Sequence, residues 1–126
     1  MDVDKIAGGN PDLVVFNGYA NQYSFDPLQV ATGERLRIWV LAAGPNRPSS
    51  FHVIGGQFDT VYAEGAYQLD ARDENSGGSQ ALALAPAQGG FVELQLPEAG
   101  NYPFVTHYMS DGEKGAHGVI KVSDPK

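Results

Sequence analysis

The residues of this chain best suited to metal or acid–base chemistry are its three histidines, His52, His107 and His117. An imidazole can bind a metal ion or transfer a proton near neutral pH. The chain has no cysteine, which excludes a thiolate ligand and a thiol nucleophile. None of the three histidines lies in a closely spaced metal motif such as HxH or HExxH. From spacing alone, a structural or surface histidine is therefore the more common interpretation of each.

The surroundings of two histidines favour a functional interpretation. His52 lies in the apolar stretch Phe51-His52-Val53, shortly before a Gly-Gly pair. His107 has the opposite strand parity to Phe104, so it projects outward if Phe104 faces the core. A neighbouring subunit or a shared metal could then reach its imidazole. His117, at the start of a predicted strand, is interpreted as structural or exposed.

Other polar groups form no comparable motif. Asp70, Asp73 and Glu74 lack the spacing of an EF-hand loop and are interpreted as solvated charge. The serines lack a Gly-x-Ser-x-Gly setting, which argues against a serine hydrolase. A net charge of −7 with only eight Lys and Arg residues argues against nucleic-acid binding. The acidity is typical of a soluble surface, and docking of a basic electron-transfer partner is the weaker alternative.

Short strands separated by turns are the elements expected to position these side chains. Residues 33–41 alternate, with Leu36, Ile38 and Val40 on one face and Arg35, Arg37 and Trp39 on the other. Residues 69–79 are charged and glycine-rich, which predicts an exposed loop. About eight strands without a helical period predict an all-β Greek-key sandwich of two sheets. The predicted strands are 13–16, 33–41, 50–54, 58–64, 81–85, 91–96, 101–108 and 117–122.

The length of 126 residues favours a single domain with a core of its own. Residues 1–11 are predicted to be a flexible arm or linker remnant, and residues 12–126 the folded domain. The chain contains no run of the roughly 18 to 20 apolar residues needed to cross a bilayer, and no signal-peptide pattern. We therefore expect either a cytosolic chain or a mature domain cut from a longer polypeptide.

Residues 101–122 resemble the copper loop of a cupredoxin, but they lack the ligands of a blue-copper centre. Such a centre needs a thiolate, two imidazoles and usually an axial thioether. Thr106 stands where the cysteine would be, and Ala116 stands where the axial methionine would be. The resemblance therefore implies a cupredoxin-like fold from which the blue-copper site has been lost.

The whole chain resembles the second, C-terminal cupredoxin domain of copper-containing nitrite reductases, within the multicopper oxidase superfamily. This resemblance implies that His107 is the type-2 copper ligand contributed by that domain. It also implies that His52 is the active-site histidine that binds substrate through water and assists proton delivery. The matching segments are VVFNG at 14–18, SSFHVIG at 49–55, FDxVYxEG at 58–65, GNY at 100–102, VxH at 105–107 and KGAxG at 114–118.

Enzymes of this family place the type-2 copper between the subunits of a trimer and reduce nitrite to nitric oxide. The first cupredoxin domain carries the remaining ligands, the catalytic aspartate and the blue copper. The resemblance therefore implies a homotrimer, a first cupredoxin domain as partner, and a periplasmic or extracellular location. A multicopper oxidase has HPxHxHG where this chain has residues 49–55, and HCH at 105–107, so this domain cannot build a trinuclear cluster.

Two other interpretations stay open at this point. The chain could be a metal-free cupredoxin module that serves trimerisation or partner docking, with both histidines as remnants. Alternatively, His107 side chains from three copies could converge on a symmetry axis and bind zinc or copper without a partner domain. Neither interpretation includes a nucleic-acid partner or a membrane segment.

Overall fold

Two β-sheets face each other across an apolar core in the computed structural model, which describes residues 2–125. Three short helices within these residues are α1 (Val3–Gly8), α2 (Gln22–Phe25) and α3 (Met109–Glu113). None of these helices is long and apolar enough to cross a membrane. The described residues also contain nine strands: β1 (Leu28–Ala31), β2 (Arg35–Leu41), β3 (Ser49–Val53), β4 (Thr60–Ala63), β5 (Ala66–Leu69), β6 (Ala81–Leu84), β7 (Gly89–Gln95), β8 (Gly100–Thr106) and β9 (His117–Ser123).

The strand order is β1-β9-β8-β3-β6 in the five-stranded sheet and β2-β7-β4-β5 in the four-stranded sheet. Neighbouring strands are antiparallel except β1 and β9, which run parallel. The prediction of an all-β fold with two sheets is confirmed, with nine strands in residues 2–125 where about eight were expected. The Greek-key connectivity stays a prediction.

Alternating side chains build the core between the sheets. In β7 the inward side chains of Val92 and Leu94 are fully buried, and Leu96 continues the pattern beyond the strand. Burying such a side chain contributes about 1.5–3 kcal/mol relative to leaving it exposed. In β2 the predicted faces are confirmed, because Ile38 and its inward neighbours pack against the core while Trp39 and its outward neighbours are exposed.

The strand predicted at residues 13–16 is wrong, because this segment has no regular structure. The Val14 N–H donates to the Lys114 carbonyl oxygen over 3.3 Å, but no ladder continues from this bond. Phe16 still packs against the core, with its ring centroid 6.1 Å from that of Phe51 and 5.4 Å from that of Phe104. An apolar segment can therefore pack against the core without forming a strand of either sheet. β1 and β5 were not predicted.

The N-terminal segment is partly helical, which the sequence pattern did not predict. The Asp2 carboxylate caps α1 by accepting the N–H groups of Asp4 and Lys5, and α1 has no buried residue. The segment contacts the domain where Lys114 Nζ donates to the Pro11 carbonyl oxygen over 2.7 Å. The boundary between residues 1–11 and 12–126 stays a prediction, and its outer ends, Met1 and Lys126, lie outside the described residues.

An ion-pair network on the four-stranded sheet is expected to make the free energy of unfolding depend on pH. The Glu93 side chain is 12% exposed and accepts bonds from Arg35 at 2.7 Å and Arg37 at 2.6 Å. Burial alone raises the pKa of Glu93, but the hydrogen bonds from the two guanidinium groups outweigh it and hold this pKa below its ordinary value. A carboxylate with a lowered native pKa stabilises the fold above its unfolded pKa, and this stabilisation is lost as the pH falls through the native pKa.

We expect Glu93→Gln to lower the free energy of unfolding by about 1 kcal/mol at pH 7. The difference from the wild type should shrink as the pH falls below about 4, because protonation then removes the wild-type charge as well. Urea unfolding at pH 7, 5 and 3 measures this difference. Glu98→Gln, at an exposed carboxylate, is the matched control. A Glu93→Gln difference that does not change with pH would contradict the assignment of this network.

Candidate metal centre

His52 and His107 lie side by side on the outer face of the five-stranded sheet. Their ring centroids are 5.7 Å apart, with an angle of 66° between the ring planes. His52 is half-buried in β3 between the buried side chains of Phe51 and Val53, so alternation directs it away from the core. His107 directly follows β8 and is exposed, while Phe104 belongs to the core. The parity argument therefore predicted the side of the sheet from which His107 projects.

The pairing of β3 with β8 brings the two imidazoles together. His52 is opposite Val105 in this pairing, so His107, two residues further along, is its diagonal neighbour. The His107 N–H donates to the Ser50 carbonyl oxygen over 2.7 Å, which extends the pairing beyond the end of β8. Backbone hydrogen bonds between β3 and β8 therefore fix the main chain at both histidines, so the relative position of the two rings does not depend on a flexible loop.

A backbone carbonyl determines the tautomer of His52. Its Nδ1 atom is hydrogen-bonded to the Gln80 carbonyl oxygen, just before β6. Because a carbonyl oxygen can only accept a hydrogen bond, Nδ1 carries the proton and donates it. The neutral ring then has its free lone pair on Nε2, which can bind a metal ion or accept a proton.

His117 shares the outer face of the sheet but does not join the pair. It lies opposite Val105 on β9, so a whole strand separates it from β3. Its Nδ1 donates to the Gly112 carbonyl oxygen over 2.8 Å. This bond connects α3 to the first residue of β9, a local structural contact.

Thr106 and Ala116, which the sequence resemblance places at the sulfur-ligand positions of a cupredoxin, are a polar and a small residue. The Thr106 side chain is buried; its Oγ1 atom lies 3.1 Å from Ser49 Oγ and accepts the Ser50 N–H at 3.2 Å. Ala116 is also buried, and its carbonyl oxygen accepts the Thr106 N–H at 3.1 Å. A hydroxyl group held by protein partners and a methyl group are not the soft ligands that a blue-copper site uses.

An ion pair between a buried carboxylate and a partly exposed guanidinium group anchors the segment that follows His107. Asp111 in α3 is 2% exposed, and its carboxylate accepts a bond from Arg47 Nε at 2.7 Å. The hydrogen bond to Asp111 raises the pKa of Arg47 above its ordinary value. Arg47 belongs to the loop between β2 and β3, so the pair joins that loop to α3. Sequence reasoning missed both residues, because neither lies in a motif and 64 positions separate them.

The described residues 2–125 contain no group of three or more His, Cys, Asp or Glu side chains arranged to hold a metal ion. His52 and His107 can offer two nitrogen ligands from the same face. Imidazole nitrogen is a ligand that copper and zinc both accept, so the residues fit a metal site to which this chain gives part of the ligand set.

No protein-family model matches the chain. The individual proteins to which it is similar are copper-containing oxidoreductases of two related kinds. Over 125 residues it is 37% identical to the copper-containing nitrite reductase of Neisseria gonorrhoeae, covering 97% of this chain and 30% of that protein. It is 28% identical to the multicopper oxidase mco of Staphylococcus epidermidis, covering 95% of this chain and 27% of that protein. The structure of a copper-containing nitrite reductase from Thermus scotoductus superimposes with a TM-score of 0.84 at 31% identity, covering 95% of this chain and 27% of that one.

The two-sheet fold and these similarities define a cupredoxin-like domain. The resemblance found in the sequence is confirmed: the homologues of this chain are copper-containing nitrite reductases, and its structural neighbours are nitrite reductases and multicopper oxidases. It spans about 30% of the length of the nitrite reductase relatives that it matches. The activity and partners of those longer proteins therefore apply to this chain only as proposals.

Proposed function

We propose that the chain is the C-terminal cupredoxin domain of a nitrite-reductase-like copper enzyme. In this proposal it supplies His107 as one ligand of a type-2 copper, and His52 as an active-site histidine, to a site between subunits. The observation that carries the proposal is the 5.7 Å separation of the two rings on one outer sheet face. A partner that covers this face would contact both imidazoles at once.

The two histidines have different roles in the proposed reaction. A type-2 copper, when bound, supplies a Lewis acid and a site of electron transfer to nitrite. His107 holds the metal through a ring nitrogen. His52 takes a proton at Nε2 and delivers it through water to the bound nitrite, while Gln80 holds the Nδ1 proton. Nitrite, one electron and two protons give nitric oxide and water, so the site needs proton donors of this kind.

The proposed partner is a first cupredoxin domain that carries the remaining copper ligands and a blue-copper centre. The chain spans about 30% of the length of its nitrite reductase relatives, which leaves room for such a domain in them. A homotrimer would place each domain beside a neighbour and close three equivalent sites. Blue copper is absent from this chain in the proposal, because Thr106 and Ala116 offer no sulfur ligand.

Reconstitution tests this proposed function. The purified chain is mixed with a first cupredoxin domain that carries its own histidine and cysteine ligands, and copper content, mass and nitric oxide formation are measured. We expect a complex of three copies of each domain that forms nitric oxide from nitrite, whereas each domain alone forms none.

Two outcomes would overturn this proposed function. An assembled complex without type-2 copper and without nitric oxide formation would support the metal-free structural module. One metal ion per three copies of this chain alone, bound through His107, would support the site on a symmetry axis.

A further inference from the structure

We propose that this chain, without any partner, binds one divalent transition-metal ion chelated by His52 and His107 together. In this two-histidine site His52 is a metal ligand, a role different from the one it has in the proposed enzyme. The site depends on the geometry of the separate chain and does not require nitrite reduction. Where the proposed function also holds, the separate chain can carry a metal ion at the position where the shared centre later forms.

The ring spacing matches one shared ion. A zinc–nitrogen bond of about 2.0–2.1 Å places the ion about 3.2 Å from the centroid of each imidazole, so a tetrahedral angle separates the two centroids by about 5.2 Å. The observed separation of His52 and His107 is 5.7 Å. A small rotation of one ring closes this difference, because the exposed His107 side chain is free to turn.

His52 has the hydrogen bond that metal-binding histidines usually have. Such a histidine donates its second ring N–H to a carboxylate or a backbone carbonyl, which fixes the ring and makes the other nitrogen a better ligand. The Gln80 carbonyl oxygen takes this role at Nδ1 of His52. Nε2 is therefore available to the ion without a change of tautomer.

The backbone on both sides of the site is already ordered. β3 holds His52 between two core residues, and the His107 N–H is bonded to the Ser50 carbonyl oxygen over 2.7 Å. Ordering of ligands before binding lowers the entropy cost of chelation. His107 is exposed, so a hydrated ion can reach the site without opening of the fold. The net charge of −7 attracts cations to the chain.

Two imidazoles select a particular class of ion. Nitrogen ligands of this type suit copper, nickel and zinc, whereas magnesium and calcium prefer oxygen ligands. The Irving–Williams order predicts the tightest binding for Cu²⁺. Water completes the coordination, so this site should bind more weakly than a site with four protein ligands.

Calorimetric titration of the purified chain with Zn²⁺, Cu²⁺ and Mg²⁺ tests the site. We expect one Zn²⁺ or Cu²⁺ ion per chain and no binding of Mg²⁺. His52→Ala and His107→Ala should each weaken metal binding by at least about tenfold, because each substitution removes one of the two nitrogen ligands. His117→Ala is the matched control and should bind like the wild type, since His117 is hydrogen-bonded elsewhere.

Several results would overturn the two-histidine site. If His52→Ala binds the metal ion as tightly as the wild type, His52 is not a ligand and the ion is held by a single imidazole. A stoichiometry of one ion per three chains, with only His107 required, would replace it by the axial site. His52→Gln provides a second variant if His52→Ala unfolds, because its amide can still donate to the Gln80 carbonyl oxygen; unchanged affinity in this variant would also overturn the proposal.

A spectroscopic measurement separates this inference from the proposed enzyme. Binding of paramagnetic Cu²⁺ to the chain alone should broaden the ring proton resonances of both His52 and His107 more strongly than those of His117. Broadening of the His107 ring alone would contradict the chelate. Failure of reconstitution with a first domain would leave these spectra unchanged, so the proposed function and the two-histidine site can fail independently.

Discussion

His107→Ala is expected to remove copper and nitrite reduction from the reconstituted complex, whereas His52→Ala is expected to keep the copper and slow turnover. His107 is the only ligand that the proposed shared site takes from this chain, so its loss breaks the coordination shell. His52 acts on protons in that site, and general acid–base catalysis contributes about 10²–10⁴-fold to a rate. Copper per complex and the turnover number for nitric oxide formation measure the two effects separately.

The expected behaviour of His52→Ala differs between the complex and the separate chain, and this difference is informative. In the proposed complex, ligands from the first domain would take the place of His52, so copper affinity should not depend on it. In the separate chain, His52 is one of two ligands and its loss should weaken binding. The His117→Ala complex serves as the control and should match the wild type in copper content and in rate, because its ring donates to Gly112.

Two results would refute the assigned roles. A His107→Ala complex with full copper and activity would show that the shared site takes no ligand from this position. A His52→Ala complex without copper would make His52 a ligand of the assembled centre, in place of a proton carrier. The pH profile of turnover adds a further criterion, because removal of a proton carrier should change the profile while a structural role should not.

Local patterns in the sequence predicted the parts of the fold that depend on neighbouring residues. Alternation in β2 predicted which side chains face the core, because successive side chains of a strand point to opposite faces. The same parity predicted that His107 lies outside when Phe104 lies inside. These inferences need only the period of a strand and one residue known to be buried.

Contacts between distant segments could not be predicted in the same way. The proximity of His52 and His107 depends on the register of β3 against β8, which places His52 opposite Val105. A shift of this register by one residue would direct one strand's side chains to the other face. The pairing of Arg47 with Asp111 depends in turn on two loops that meet only in the folded chain. Resemblance to a known family supplied the connection between the two histidines before the register was known.

The errors at residues 13–16 and at β1 have a common cause. An apolar run predicts burial, and burial does not require a sheet ladder, as Phe16 shows by packing against Phe51 and Phe104 outside any strand. Conversely, β1 joins the edge of the sheet through parallel pairing with β9, although it buries only one side chain, that of Val30. In both segments, strand formation depends on whether a strand from a distant part of the sequence lies alongside and forms backbone hydrogen bonds.

Phe51→Ala is expected to cause the largest loss of stability among the substitutions near the site. Phe51 is 3% exposed and packs against three other phenylalanine rings, with centroid separations of 6.1 Å to Phe16, 6.3 Å to Phe58 and 5.9 Å to Phe104. Truncation of a buried phenylalanine removes its transfer free energy and leaves a cavity, at a cost of about 3–5 kcal/mol. Urea unfolding at pH 7 measures this loss.

Phe25→Ala is the matched control for this experiment, because the Phe25 side chain is 83% exposed. Exposed substitutions of this kind change the free energy of unfolding by about 0.5 kcal/mol or less. Equal effects of the two substitutions would contradict the core assignment of Phe51.

The same variant tests how the core supports the proposed metal site on the outer face of the five-stranded sheet. The inward packing of Phe51 keeps the next residue, His52, on the outer face of β3. A Phe51→Ala protein that is still folded should therefore bind Cu²⁺ more weakly than the wild type, while Phe25→Ala should bind it equally well. Unchanged Cu²⁺ affinity in a destabilised Phe51→Ala protein would show that the β3–β8 ladder alone positions the two imidazoles.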